Sequence, residues 1–156
     1  MISRLLAIFI FLSAAVYAQD KKLIGRALLE YSIFKIDVYE LSYFKHKSGA
    51  EELLFEYKMD VKREYSKEGW VKTLAPLVKN DSKLKEKVKW LYDTTVGVKE
   101  GDKLSLLRFN NEVKITKNSK LIAKIKDKDI SKLVFYPWLG EKPMSEDMKE
   151  KLLGKE

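Results

Sequence analysis

The chain contains no cysteine. Disulfides, thiol catalysis, thiolate metal ligation and cysteine-based redox chemistry are therefore excluded. Only one histidine is present, His46. It stands between Lys45 and Lys47, just before Ser48-Gly49, which is the composition of a solvated turn. The flanking cations oppose its protonation. A Ser/His/Asp constellation cannot be argued from one turn histidine. A transition-metal site would need mostly carboxylates, and no such spacing occurs. Glycine (7) and proline (3) are sparse, and no Gly-rich phosphate loop occurs. There is no internal repeat, low-complexity tract or linker that would split the chain. Past Tyr17 there is no long hydrophobic run.

What is present begins with a leader-like segment. Arg4 supplies one positive charge and Leu5 to Leu12 an apolar run of h-region length. Val16-Tyr17-Ala18 offers small or branched residues at a cleavage position. The apolar stretch is shorter than the roughly 20 residues a spanning helix needs. These features predict a Sec signal peptide over 1–18, cleaved after Ala18, and a periplasmic or secreted domain over 19–156. With no cysteine, a lipoprotein anchor is excluded, and the exported domain must be held by packing alone. A domain near this size can bury a sufficient core.

The chain is basic, with 31 Lys+Arg against 23 Asp+Glu and a net charge of +8. The excess is lysine spread along the whole length. A nucleic-acid binder would concentrate arginine and exposed aromatics in one segment, so nucleic acid is not an expected partner. Attraction to an anionic ligand or peripheral contact with an anionic membrane fits the charge; so does a merely solvated lysine-rich surface. A monomer is expected.

Strand periodicity comes first. Leu23 to Ser32 and Ile33 to Phe44 alternate, and Phe34, Ile36 and Val38 fall opposite Lys35, Asp37, Tyr39, Leu41 and Tyr43. Leu53 to Met59 is a third strand, with Leu53, Phe55 and Tyr57 on one face. The period then changes. Ser66 is a candidate cap for a helix carrying Val71, Leu74, Ala75 and Val78, which Pro76 should kink or end early. Asp81 or Ser82 caps a second helix through Leu84, Val88 and Leu91. Strands follow at Lys103–Phe109, Val113–Thr116 and Leu121–Ile125, joined by Asn110-Asn111 and by Lys117 to Lys120. Asp127 or Asp129 caps a short helix stopped by Pro137 and Gly140. Ser145 caps a last one through Met148, Leu152 and Leu153. Hairpin-linked strands with helices in two groups predict an α+β fold.

The ordered set Gly25-Arg26-Ala27, Phe34 to Tyr39, Gly101-Asp102, Tyr136-Pro137-Trp138-Leu139-Gly140 and Leu152-Leu153-Gly154 resembles the exported bacterial branch of the chalcone isomerase-like family. The resemblance runs from about Leu23 to Gly154. It implies an open-faced sandwich, a curved and mostly antiparallel sheet with helices on one face and a ligand cleft between them. The plant enzymes of that family close a flavanone ring with an Arg on an early strand, a Thr on the next, and Tyr, Asn and Thr in the cleft. Arg26 matches the Arg position only if the two strands are joined by a shorter connection. Phe34 falls at the Thr position and has no hydroxyl to offer. Tyr92 and Asn80 do not match the spacing of the Tyr/Asn pair. The resemblance therefore leans toward a non-catalytic binder of a small apolar or fatty-acid-like ligand, as in the family's non-catalytic plant relatives, with no catalytic residues, cofactor or metal. An isomerase or lyase on an unknown substrate and a partner-binding periplasmic accessory protein stay open.

Arg26 is the leading candidate for pairing with a ligand carboxylate, against a water-facing strand position. Tyr31, Tyr39, Trp70 and Tyr92, with Tyr43 and Trp90, are candidates for an apolar cleft with polar tips, against plain core. Trp138 is expected to lock the aromatic helix onto the sheet.

Overall fold

The computed structural model describes residues 20–155. The expected leader, 1–18, lies outside the described residues. The fold class is as expected, α+β. One six-stranded antiparallel meander runs in sequence order, through β1 (Lys21–Tyr31), β2 (Ile36–His46), β3 (Glu51–Tyr57), β4 (Lys103–Phe109), β5 (Glu112–Lys117) and β6 (Lys120–Lys126). Helices α1 (Arg63–Val78) and α2 (Ser82–Thr94) connect β3 to β4; α3 (Lys128–Leu133), α4 (Tyr136–Leu139) and α5 (Glu146–Leu152) follow β6.

Period-two alternation fixes the inner face. Tyr39, Leu41 and Tyr43 of β2, with Leu53, Phe55 and Tyr57 of β3, are all buried, as are Leu106, Val113 and Ile115. They join Leu74, Val78, Val88, Leu91, Ile130 and Trp138 of the helices in one core. Removing these side chains from water is the main stabilising term, about 2 kcal/mol for each large aliphatic or aromatic group.

Local chemistry sets the boundaries. Asn110 and Asn111 both have positive φ, as do Asn118 and Ser119, so both later hairpins turn through left-handed pairs that match strand twist. Asp81 caps α2 through Leu84 N (2.9 Å), Asp127 caps α3 through Asp129 N (2.8 Å) and Ile130 N (3.0 Å), and Ser145 caps α5 through Met148 N (3.2 Å). Several boundaries differ from the sequence expectation, the single short helix expected after β6 being two, α3 and α4. The first hairpin turns at residues 32–35, so β2 starts at Ile36. Helix α1 begins at Arg63 with no side-chain cap, ahead of Ser66. Its start is pinned instead by the Arg63 guanidinium, which donates to Thr95 O (2.9 Å) and Tyr92 O (3.2 Å) at the far end of α2. Pro76 stays within the last turn of α1, which ends two residues later at Val78, as expected of a ring that cannot donate to the preceding turn.

Helix α5 seals the β1 side of the sheet. A Cβ on Gly25 would lie 2.0 Å from Lys151 O and 2.6 Å from Leu152 O. The close approach of α5 to β1 therefore requires glycine. Gly25→Ala should lower the unfolding free energy by about 3 kcal/mol, read by urea denaturation; a loss below about 0.5 kcal/mol would mean that α5 can shift without cost.

Candidate functional site

The space between sheet and helices is organised around aromatic rings. Phe55 meets Trp138 edge-on at 4.9 Å between centroids and Tyr39 at 5.0 Å. Trp138 in turn meets Trp70 of α1 edge-on at 5.5 Å. Tyr57 lies 5.6 Å from Tyr39. The short helix α4, with Pro137 at its start, delivers the Trp138 indole to the middle of this group, where Nε1 donates to the Tyr39 hydroxyl oxygen at 2.9 Å.

That bond leaves the Tyr39 proton free to donate outward. Its nearest acceptor is the weak thioether of Met144, at 3.9 Å. Tyr57 is 7% exposed, and among the described residues its hydroxyl bonds to nothing. Among the described residues no fully enclosed side-chain polar atom lacks a partner, so the Tyr57 hydroxyl still touches accessible space. Burial pushes both phenols above their ordinary range, and for Tyr57 the neighbouring Tyr39 adds to the shift. Both stay protonated at neutral pH. Two phenols with neighbouring rings, one hydroxyl without a partner among the described residues and one with a poor one, thus belong to the same aromatic group. Met144 also lines a groove of about 470 Å³ that opens to solvent between Lys72, Pro76, Leu77, Tyr136 and Lys142.

A second polar group interrupts the same face at the other end of the sheet. Tyr43 donates to Glu51, and Arg108 Nε reaches the other Glu51 oxygen at 2.8 Å. Arg108 also donates to Ser131 O (3.0 Å) and lies 4.2 Å over the Phe135 ring. Every charge here is answered from within, so this group acts as a fastener between β3, β4 and α3. On the outer face Glu52 is 8% exposed and takes Ser105 Oγ (2.8 Å), His46 Nε2 (3.0 Å) and Lys21 Nζ (3.3 Å).

The residues singled out from sequence are dispersed. Tyr39 is at the centre and Trp70 at the edge of the aromatic group. Arg26 does not face it. Gly25 and Ala27 point at the helices, so Arg26 is exposed on the outer face, paired with Ser42. Tyr31 is exposed at the far end of β1, and Phe34 lies in the turn beyond it. Tyr92 is half-buried on α2 and makes no ring contact with the group; Asn80 is exposed just past α1. His46 is the end of a strand rather than a turn residue, because β2 stays paired as far as Lys21. By sequence alone Tyr57 stands out only as an apolar-face residue of β3, and Glu51, Glu52 and Arg108 carry no signal of their pairing. Tyr57 was detectable in principle, since it lies two residues from Phe55 on the same face.

A family model described as chalcone isomerase-like matches residues 19–154. The chain belongs to the chalcone isomerase-like family. No curated protein matches the sequence. Among solved structures, this chalcone isomerase-like domain is similar to the crystal structure of an Arabidopsis thaliana fatty-acid binding protein, with a TM-score of 0.71 and 11% identity over 87% of this chain and 88% of that one. At that identity the likeness is one of fold.

Two outcomes follow for stability. Tyr57→Phe removes a hydroxyl that has no partner and should leave the unfolding free energy unchanged or raise it, whereas Tyr39→Phe orphans the Trp138 N–H and should cost about 1–2 kcal/mol. Equal losses in urea melts would contradict the assignment of partners. Acid sensitivity should trace to the two glutamates. Burial works to raise both, but hydrogen bonds and cations (Tyr43 and Arg108 for Glu51; Ser105, Lys21 and His46 for Glu52) hold them below the ordinary 4.5. A depressed folded-state value stabilises the fold above the unfolded value, and that contribution is lost as pH falls through the folded one. Glu52→Gln should therefore melt below the parent at neutral pH, with the gap closing below about pH 4.5; a constant gap would rule the linkage out.

Proposed function

We propose that this protein is a non-catalytic, exported carrier. Its ligand is a small apolar molecule with a hydrogen-bond-accepting head, of the fatty-acid class, held between the sheet and the helices. The observation that carries the reading is the Tyr57 hydroxyl, unpartnered among the described residues at the accessible edge of a buried ring, on the ring that neighbours Tyr39 with its outward-donating hydroxyl. An apolar wall with a few convergent donors is the usual chemistry of a site that orients an amphiphile by its head and shelters its body. Both phenols stay protonated, which suits holding a carboxylate or carbonyl oxygen; proton abstraction would need a base. The groove that Met144 lines gives open space on the solvent side of the thioether that accepts from Tyr39. The structural neighbour named as a fatty-acid binding protein adds support for this class of ligand. Arg26, on the outer face, has no part in this site. Export rests on the leader pattern of Met1 to Ala18.

The test is titration with a fluorescent polyene fatty acid, checked by native mass spectrometry with palmitate. The parent should bind with one-to-one stoichiometry. Tyr57→Phe and Tyr39→Phe should each weaken binding about tenfold, the value of one hydrogen bond to a charged group. Absence of uptake by the parent, or unchanged affinity in both variants, would sink the carrier reading. Intact mass after expression in a Gram-negative host should show a chain starting at Gln19; a chain retained in the cytoplasm with its leader would sink export.

A further inference from the structure

Residues 140–145 form the short loop between α4 and α5, and several constraints place Met144 in it. Met144 N donates to Pro137 O at 2.8 Å. Lys149 Nζ donates to Gly140 O at 2.8 Å, which ties the start of the loop to α5. Pro143 limits its own φ and keeps Lys142 extended. The side chain so placed has two neighbourhoods. It lines the groove with Lys72, Thr73, Leu77 and Lys142, and its Sδ accepts from the Tyr39 hydroxyl at 3.9 Å.

The chain has no cysteine, so no thiol competes with the thioethers for a two-electron oxidant. The thioethers differ in access. Met144 is 47% exposed and Met59 38%, whereas Met148 is 3% exposed. Of the two open to solvent, Met144 is the one that touches a hydroxyl of the candidate site. A peroxide, ROOH, reacts there in a balanced two-electron step. Sulfur attacks the terminal oxygen, an S–O bond forms as the O–O bond breaks, and the proton on the transferred oxygen passes to the departing alkoxide. Sulfur is oxidised to the sulfoxide and the peroxide is reduced to ROH, which is water when R is hydrogen.

We propose that Met144 is an oxidation site, and that its sulfoxide takes the Tyr39 O–H and so withdraws that donor from a ligand. A thioether is a weak acceptor, whereas the sulfoxide is polar. The 3.9 Å between sulfur and hydroxyl exceeds an O–H···O bond by roughly 1 Å. An oxygen carried on that sulfur and turned toward Tyr39 therefore reaches ordinary hydrogen-bonding distance. The Tyr39 oxygen already accepts from Trp138 Nε1 at 2.9 Å, and the hydroxyl has a single proton to give. Once the sulfoxide holds that proton, Tyr39 has no donor for a ligand head. The loss of ligand rests on the carrier reading; oxidation at Met144 and its bond to Tyr39 do not.

The experiment treats the purified chain with hydrogen peroxide and maps the product by peptide mass. Met144 should gain one oxygen at least about tenfold faster than Met148. Oxidation should weaken binding of the fluorescent fatty acid about tenfold in the parent, the loss of one hydrogen bond to a charged group. In Tyr39→Phe, where that donor is already gone, the same treatment should change affinity less than about twofold. Peroxide should leave the affinity of Met144→Leu where it was before treatment. Methionine sulfoxide reductases, one for each epimer, should restore the oxidised parent. Urea melts give a readout without ligand. Parent and Tyr39→Phe, each before and after oxidation, form a cycle. Oxidation should move the midpoint more favourably in the parent, because only there does the sulfoxide meet a phenol. A Met144 as resistant as Met148, an equal midpoint shift in the two backgrounds, or an equal loss of affinity in Tyr39→Phe or Met144→Leu would overturn the proposal. Absence of uptake by the untreated parent sinks the carrier reading alone; an equal midpoint shift sinks the Met144 proposal alone.

Discussion

The sandwich depends on the contact of Trp138 with the sheet. Its ring meets Phe55 and Trp70 edge-on, and its N–H is satisfied by the Tyr39 hydroxyl. One side chain therefore ties the central strands to α1 and to the helix that carries it. Edge-to-face pairs add about 0.5–1.5 kcal/mol each beyond the area they bury, and the indole N–H would be costly if buried alone. The four-residue helix α4 could not hold its shape in isolation. It exists because Pro137 presets its start and because the indole it carries has a fixed destination.

That arrangement determines the character of the site. By accepting the indole N–H, Tyr39 is oriented with its own proton turned outward. Tyr57 is brought alongside by the β2–β3 register, which pairs Tyr39 directly with Tyr57. Two phenols placed this way in apolar surroundings are held neutral by desolvation. They can hold an acceptor but not take a proton. At the far end of the same face Glu51 and Arg108 neutralise each other, so the charged end is closed and the phenolic end is the one with unspent hydrogen-bonding capacity. The groove at Met144 and the exposed first hairpin lie on the side of that phenolic end.

The fold was legible because its signals are local. Alternation in Tyr39-Leu41-Tyr43 and Leu53-Phe55-Tyr57 marks one buried face. Asn110-Asn111 marks a tight hairpin, and Asp81, Asp127 and Ser145 mark helix starts. Each works within a few residues, through φ preferences or a side-chain oxygen meeting a nearby N–H. The site was less legible. Tyr39 and Trp70 were among the residues singled out, whereas Arg26, open between the cleft and a water-facing strand position, faces outward. Alternation along β1 puts Gly25 and Ala27 on the helix side, where α5 docks on Gly25, and so turns Arg26 away.

The amino-acid sequence by itself determined the order of elements, most of their boundaries, the inner face of β2 and β3 and the exclusion of thiol and histidine chemistry, because these depend on residue type and short-range spacing. Only the tertiary structure decided which polar groups answer one another. Trp138 reaches Tyr39 across 99 residues, Arg108 reaches Glu51 across 57 and Ser105 reaches Glu52 across 53. Whether a hydroxyl such as that of Tyr57 is left open depends on what packs over it from distant parts of the chain, and no local pattern encodes that.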